Sequence, residues 1–279
     1  MRNHKIAIQG SVASYHDLAA KKIYGEDVEI VECSTFKETC QRLVDNGADY
    51  AVMAIENSTV GSILSNYSLI EQYHLTIIGE LYVRIEFHLL VMPDVELKDV
   101  NYIHSHPIAI AQCQDFLLAH DRIRVVESND TAWCARKIVS ERLKDTAAIA
   151  NEITANYYDL NIIQRNIESN KQNYTRFLVL SKVKDVVEKP DKASISFHIK
   201  HEPNALAKTL DLVGSGKINI SKIQSIPIVG KPNEYIFHLD LEWDNHDNYK
   251  VVIDKLRSQT LSLNILGEYK KAMISNDKL

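Results

Sequence analysis

The sequence predicts an α/β fold in two parts: a two-lobed domain of helix-covered parallel sheet, then a ferredoxin-like βαββαβ sandwich. Three observations predict it. Short apolar runs alternate with helical apolar spacing through the first 183 residues, the pattern of parallel strands joined by helices. The chain then turns charged between Lys182 and Lys192, with Pro190-Asp191 inside the stretch, as a linker does. Beyond it, clean two-residue alternations are broken by two helical stripes. The expected division is residues 1–183, a linker at 184–192, and a second domain at 193–279.

Ile6-Ala7-Ile8 is the first expected strand. A helix ends near Tyr24-Gly25, and Val28-Glu29-Ile30-Val31 is the next strand. Phe36, Cys40 and Leu43 share one helical face, and Tyr50 to Ile55 is a third strand. Glu86 to Val91 breaks the rhythm and reads as an extended crossover rather than another βα unit. The alternation then resumes with a strand edge at Tyr102-Ile103 and a helix after Pro107, a residue suited to the first helical turn. Arg124-Val125-Val126, Ala147 to Ala150, Ile162-Ile163 and Phe177 to Leu180 are later strands, with a helix over 131–143. Two such lobes joined by crossovers create a cleft, a frequent place for ligands.

In the second domain Ile195, Phe197 and Ile199 alternate as a strand. Leu206, Leu210 and Val213 lie on one helical face that stops at Gly214-Ser215-Gly216. Ile218 and Ile220 open a second strand; Tyr235, Phe237, Leu239 and Leu241 form a third. Val252 and Leu256 mark a helix, and Leu261, Leu263 and Ile265 a last strand. This order is the ferredoxin-like βαββαβ arrangement.

The 279 residues are 45% hydrophobic and 25% charged, a globular composition, and the net charge of −5 argues against general affinity for nucleic acid or anionic membrane. No apolar run is long enough to span a bilayer, and the start lacks the apolar stretch of a signal peptide. Cys33, Cys40, Cys113 and Cys134 form no C-x-x-C pair, so reduced, buried thiols in a cytoplasmic protein are expected. His104-x-His106 has no third ligand nearby, and no metal is expected.

Chemistry concentrates at strand ends. Asn173-Tyr174-Thr175-Arg176-Phe177 runs into a buried apolar strand. Arg176 can grip a carboxylate through two parallel hydrogen bonds, and Thr175 can bond to a departing oxygen. Glu56-Asn57-Ser58-Thr59-Val60-Gly61-Ser62 follows a strand and precedes a helical pattern, which suggests an anion-binding helix N-terminus, helix capping by Ser62 or Thr59, or both. Ser105 to Cys113, Asn129-Asp130-Thr131 and Gly10 to His16 are similar junctions. Together they suggest a cleft for a small polyanion.

These residues match a family. With Ile55-Glu56-Asn57-Ser58 and Gly61-Ser62, Ser105-His106-Pro107 with Gln112-Cys113, and Asn173 to Phe177 in order, the chain resembles prephenate dehydratase over nearly its full length. The resemblance implies a two-lobed catalytic domain similar to periplasmic binding proteins and a C-terminal ACT domain. It also implies conversion of prephenate to phenylpyruvate with loss of carbon dioxide and water. Aromatisation drives that reaction, so no cofactor is expected. Thr175 corresponds to the family's essential threonine. Glu56, the acid of the motifs, either relays a proton or orients Asn57. Asn57, Ser58, Ser105, Gln112 and Arg176 are the expected polar partners of the substrate. Ser14 stands where the family's Gly-Pro-x-Gly-Thr-Phe motif has threonine, in the run Gly10-Ser11-Val12-Ala13-Ser14-Tyr15, which lacks the proline and second glycine.

The ACT half departs further from its relatives. Asn204-Ala205-Leu206 stands for Gly-Ala-Leu, and Gln224-Ser225-Ile226-Pro227 for Glu-Ser-Arg-Pro. Asparagine can take unusual backbone angles, so the first change is mild. Losing Arg and Glu together removes one charge of each sign. The resemblance implies phenylalanine as allosteric ligand at an ACT–ACT interface of a homodimer or homotetramer. Arogenate dehydratase and a non-catalytic amino-acid sensor are the alternative readings. The sheet pattern begins almost at residue 1, so no chorismate mutase-like helical segment is expected in the chain.

Overall fold

The computed structural model describes residues 4–184 and 187–272; Met1 to Asn3, and Asp185 and Val186 of the expected linker, lie outside the described residues. The chain forms two compact units, Met1–Asn66 with Leu81–Phe177, and Tyr67–Glu80 with Leu178–Leu279. The second unit thus takes in a segment of the first half of the chain. Its boundaries fall within one helix and two strands, all inside the span 1–183 expected as one domain.

The first unit opens with β1 (Lys5–Gln9), α1 (Tyr15–Tyr24), β2 (Glu29–Cys33), α2 (Phe36–Val44), β3 (Tyr50–Asn57), the short β4 (Gly61–Ser62) and α3 (Leu64–Gln72). β5 (Thr76–Arg84) and β6 (His88–Val91) follow. Then come β7 (Tyr102–Ser105), α4 (Pro107–Gln112), α5 (Gln114–Leu118), β8 (Arg124–Glu127), α6 (Thr131–Glu141), β9 (Thr146–Ala150), α7 (Glu152–Tyr157), β10 (Asn161–Gln164) and β11 (Tyr174–Ser181). One sheet has the order β2-β1-β3-β11-β5 and the other β10-β6-β9-β7-β8. β1 runs parallel to β2 and β3, and β7 parallel to β8 and β9. Central strands are apolar on both faces, as parallel strands under helices must be: Ala51 to Ile55 and all of β9 are buried.

Two expectations change. Glu86 to Val91 is extended, but His88–Val91 is a full strand of the second sheet, antiparallel to β9 and β10. β5 carries no clean alternation, because most of its side chains are only partly buried. The segment after Asn57 is also not a helix N-terminus. Gly61 and Ser62 pair back on Asn57 and Glu56 as a hairpin, and the helix starts two residues later at Leu64. Asn57 Oδ1 accepts from the backbone N–H groups of Thr59 and Val60, so an asparagine turn, not a helix cap, organises this segment.

In the second unit β12 (Lys192–His198), α8 (Ala205–Ser215), β13 (Asn219–Pro227), β14 (Tyr235–Glu242), α9 (His246–Gln259) and β15 (Ser262–Tyr269) give the expected βαββαβ order. The antiparallel sheet runs β13-β14-β12-β15. Ile195, Phe197, Leu239 and Leu241 face Val213, Val252 and Leu256 in one core. Each such side chain contributes about 1.5–3 kcal/mol on burial. Lys192, buried, is neutralised by Glu80 at 3.1 Å and Glu242 at 3.2 Å.

Candidate active site

A cavity of about 500 Å³ opens in the first unit. Its rim is built from helix beginnings. Ser14 caps α1 by accepting from Asp17 N–H, and Thr35 caps α2 by accepting from Glu38 N–H. His106 caps α4 through Nδ1, and Asp130 caps α6 by accepting from Trp133 N–H at 2.7 Å. All four cap residues line the cavity. Each helix start carries a partial positive charge from aligned peptide dipoles, roughly half an elementary charge in a long helix. Among the described residues no lysine or arginine lines the cavity. Its attraction for an anion therefore rests on backbone dipoles and neutral donors.

Contacts between the two lobes shape the rim. Ser11 Oγ donates to Asp130 Oδ1 at 3.0 Å, and Asn151 Nδ2 and Thr154 Oγ1 both donate to the Ala13 carbonyl. Gly10, at φ +96°, packs so closely on Asp130 that a Cβ would lie 2.7 Å from Oδ2. Ala13 takes φ +68°, the conformation that the missing second glycine of the motif would adopt without strain. Its N–H is held by Asp17 Oδ2 at 2.6 Å, so hydrogen bonds from three side chains impose the strained angle.

Two carboxamides of the cavity lining, Asn57 and Gln112, form a closed ring with the buried Asn173. Asn57 Nδ2 donates to Asn173 Oδ1 at 2.7 Å, Asn173 Nδ2 to Gln112 Oε1 at 3.0 Å, and Gln112 Nε2 to Asn57 Oδ1 at 3.2 Å. A ring of amides could close in either sense. Here the sense is fixed, because Thr59 and Val60 N–H can only donate and both donate to Asn57 Oδ1. The second proton of Asn57 Nδ2 therefore goes to Thr175 Oγ1, at 2.9 Å. With its oxygen accepting, Thr175 keeps its own proton to give into the cavity.

Of the residues expected from sequence, Ser14, Asn57, Gln112 and Thr175 line the cavity. Arg176 does not. It is buried, and strand alternation turns it to the face of β11 opposite Thr175 and Phe177. Ser105 is fully buried, and its hydroxyl donates to the Ile149 carbonyl at 2.8 Å. Ser58 is exposed and bridges the Gln172 carbonyl and Tyr174 N–H. Glu56 pairs with Ser62 in the hairpin and is not among the lining residues.

Four lining or supporting residues carry no site role in the sequence analysis. Asn173 lies two positions before Thr175, and the period of an extended chain puts both on one face. Thr35 and Glu38 have capping-box spacing, with Glu38 Oε2 accepting from Ser34 N–H. His16 lines the cavity, and burial lowers its pKa to about 4. No cysteine is among the residues that line the cavity. Burial pushes Cys113 up to about 12 and both Cys40 and Cys134 up to about 11.

The prephenate dehydratase family model matches residues 6–185. The chain belongs to the prephenate dehydratase family. A bifunctional chorismate mutase/prephenate dehydratase of Aquifex aeolicus is 33% identical over 273 residues, covering 97% of this chain and 74% of that one. Arogenate dehydratase/prephenate dehydratase 2 of Arabidopsis thaliana is 33% identical over 277 residues, covering 95% and 72%. A solved prephenate dehydratase of Arthrobacter aurescens in complex with L-Phe superposes with a TM-score of 0.87 at 26% identity, covering 98% of this chain and 93% of that one. The prephenate dehydratase motifs are the ones that meet here: Asn57, Gln112, Asn173 and Thr175 come from three separate segments and close one hydrogen-bonded network.

Proposed function

We propose that this protein converts prephenate to phenylpyruvate, releasing carbon dioxide and water, in the making of phenylalanine. The observation that carries this reading is the Thr175 hydroxyl, turned into a donor by Asn57 inside a cavity rimmed by helix N-termini. The C1–carboxylate bond breaks, and its electron pair enters the ring. The C4–oxygen bond breaks, and the departing hydroxide takes a proton to leave as water. The chain need only orient the dianion, bond to that oxygen and supply dipoles where charge gathers. Thr175, Asn57 and Gln112 carry this chemistry in our reading, with Ser14 among the substrate's polar contacts. The resemblance suggested Glu56, Ser58, Ser105 and Arg176 as well, and their positions off the cavity lining do not support direct contact.

The βαββαβ unit is proposed as an ACT regulatory domain over 193–279 that binds phenylalanine between two copies of the chain. Three features support this. A cavity of about 130 Å³ is lined by Ala205, Leu206, Tyr235 and Phe237 among others. Asn204 takes φ +66° at the start of α8, as a glycine would. β13, which carries Gln224, Ser225 and Pro227, is an edge strand with alternating exposed side chains, and those residues do not line this cavity, so a second copy is the natural source of that motif. No described helix is long and apolar enough to cross a membrane; a cytoplasmic homodimer or homotetramer is part of the proposal.

The test is phenylpyruvate formation by purified protein from prephenate, with and without phenylalanine. Turnover suppressed by phenylalanine supports both halves of the proposal. Turnover indifferent to phenylalanine leaves the enzyme and removes the regulator. Turnover of arogenate but not prephenate moves the substrate to the amino-acid analogue, and turnover of neither overturns the proposal.

A further inference from the structure

Inside the cavity, His16 offers a group that the reaction as described does not use. Its Nε2 lies 3.3 Å from the backbone nitrogen of Ala54 on β3. A backbone N–H can only donate, so Nε2 is the unprotonated nitrogen and the neutral ring carries its proton on Nδ1. Burial keeps the ring neutral, with its pKa near 4. Among the described residues Nδ1–H has no hydrogen-bond partner, and the ring lines the cavity. Two aromatic rings hold it in place. Phe177 meets it edge-on at 5.0 Å and Phe36 lies at 5.5 Å.

The position of Phe177 along β11 indicates what His16 meets. Phe177 is two residues beyond Thr175 on the same face, about 7 Å along an extended strand. That distance matches the span from the C4 hydroxyl of the substrate, across its ring, to the substituents on C1. A group at the Thr175 end therefore leaves the C1 end beside Phe177 and His16. Of the two C1 substituents, the carboxylate that departs as carbon dioxide gains nothing from a donor, since a hydrogen bond to it stabilises the ground state. The pyruvyl side chain gains orientation.

Resting on the prephenate reading above, we infer that His16 is a positioning and specificity residue, donating Nδ1–H to the side-chain keto acid and so favouring an α-keto acid over an α-amino acid. A keto oxygen accepts this proton. An α-ammonium is itself a donor, so the locked tautomer faces it donor to donor. A site that presents a fixed donor discriminates by leaving the wrong partner unpaired.

The experiment compares wild type, His16→Phe and His16→Gln for kcat/KM with prephenate and for the affinity of arogenate as substrate or competitor. His16→Phe keeps the shape and loses the donor. His16→Gln can accept from Ala54 and still donate. The inference expects at least a tenfold loss of kcat/KM for prephenate in His16→Phe, mainly through KM, with arogenate unchanged, and recovery to within about threefold in His16→Gln. An equal loss for both compounds would mark His16 as structural and overturn the inference, as would an unchanged kcat/KM. Should His16→Phe fail to fold, nitrogen NMR of the wild-type imidazole decides. The inference requires a protonated Nδ1 that shifts when phenylpyruvate, which shares the side chain, is added; an unprotonated or unmoved Nδ1 overturns it. Wild type that turns over no prephenate would sink the substrate reading, and this inference with it.

Discussion

Asn57 Nδ2 donates to Thr175 Oγ1 over 2.9 Å, and the turn at Thr59 and Val60 fixes the direction of that bond. A threonine hydroxyl is a weak acid, but one whose oxygen already accepts a hydrogen bond is polarised toward donating. Replacing Thr175 by valine keeps the shape and removes the donor. We expect kcat to fall by about 10²–10⁴, the usual worth of a positioned proton donor, with KM changed far less. Thr175→Ser should keep most of the activity. Steady-state kinetics of the purified variants check both, and a Thr175→Val enzyme with full turnover would exclude the role.

Asn173 touches Thr175 only through Asn57, so its effect depends on the direction of the amide ring. An aspartate there is nearly isosteric. When ionised it cannot donate to Gln112 Oε1, which now accepts from Asn173 Nδ2 at 3.0 Å, and two acceptors face each other. When protonated it regains a donor. Asn173 is only 1% exposed, and burial raises the pKa of a carboxyl. The Asn173→Asp enzyme should therefore be strongly impaired at pH 8 and recover as the pH falls toward 6, relative to wild type at each pH. A loss of equal size at both values would mean that the ring's hydrogen-bond sense does not govern Thr175.

The half-buried His16 also links stability to pH. Its pKa falls from an ordinary value near 6.5 to about 4 in the folded state. The unfolded chain therefore binds the extra proton first as the pH drops. The stability is complete above about pH 6.5 and is lost progressively down to about pH 4. The full shift corresponds to up to about 3 kcal/mol, less what water in the open cavity recovers. Denaturant unfolding of wild type and His16→Gln between pH 7.5 and 4.5 tests this, and the variant should show the shallower decline.

Much of this architecture was legible because its signals are local. The βαββαβ unit announces itself in the alternation Tyr235, Phe237, Leu239, Leu241, whose last three residues pair with Phe197, Ile195 and Ala193 of β12. Thr175, Asn57 and Gln112 lie in motifs that the cavity brings together. Arg176 is not a cavity residue despite its charge, because next to Thr175 in sequence means the other side of a strand. Ser105 is not a cavity residue either, since a hydroxyl at a strand end serves a neighbouring carbonyl as readily as a ligand, here Ile149. The segment Tyr67–Glu80, which groups with the βαββαβ unit, is specified by long-range contacts that no local pattern encodes. Ser196 donates to Glu71, more than a hundred positions earlier.

That same segment yields a prediction about the second unit. Gly267 on β15 is a strand glycine, and strand glycines often mark places where another backbone comes close. A Cβ on it would lie 2.0 Å from the carbonyl oxygen of Ile77 and 2.7 Å from the Ile77 carbonyl carbon and Cβ. No rotamer change relieves a clash with backbone, so the strands themselves would have to part. Lys192, which bonds to Glu80 Oε1 at 3.1 Å, and the Ala272 N–H, which donates to the same oxygen at 3.0 Å, hold the neighbouring residues in register. Gly267→Ala should therefore cost about 2–3 kcal/mol, the upper part of the range for overpacking. Gly214→Ala is the control. Nothing lies within 4 Å of a Cβ there, and alanine favours the helix by about 1 kcal/mol. Urea unfolding of the two variants should move in opposite directions, and a Gly267→Ala protein as stable as wild type would show that β15 and the Ile77 backbone are not in contact.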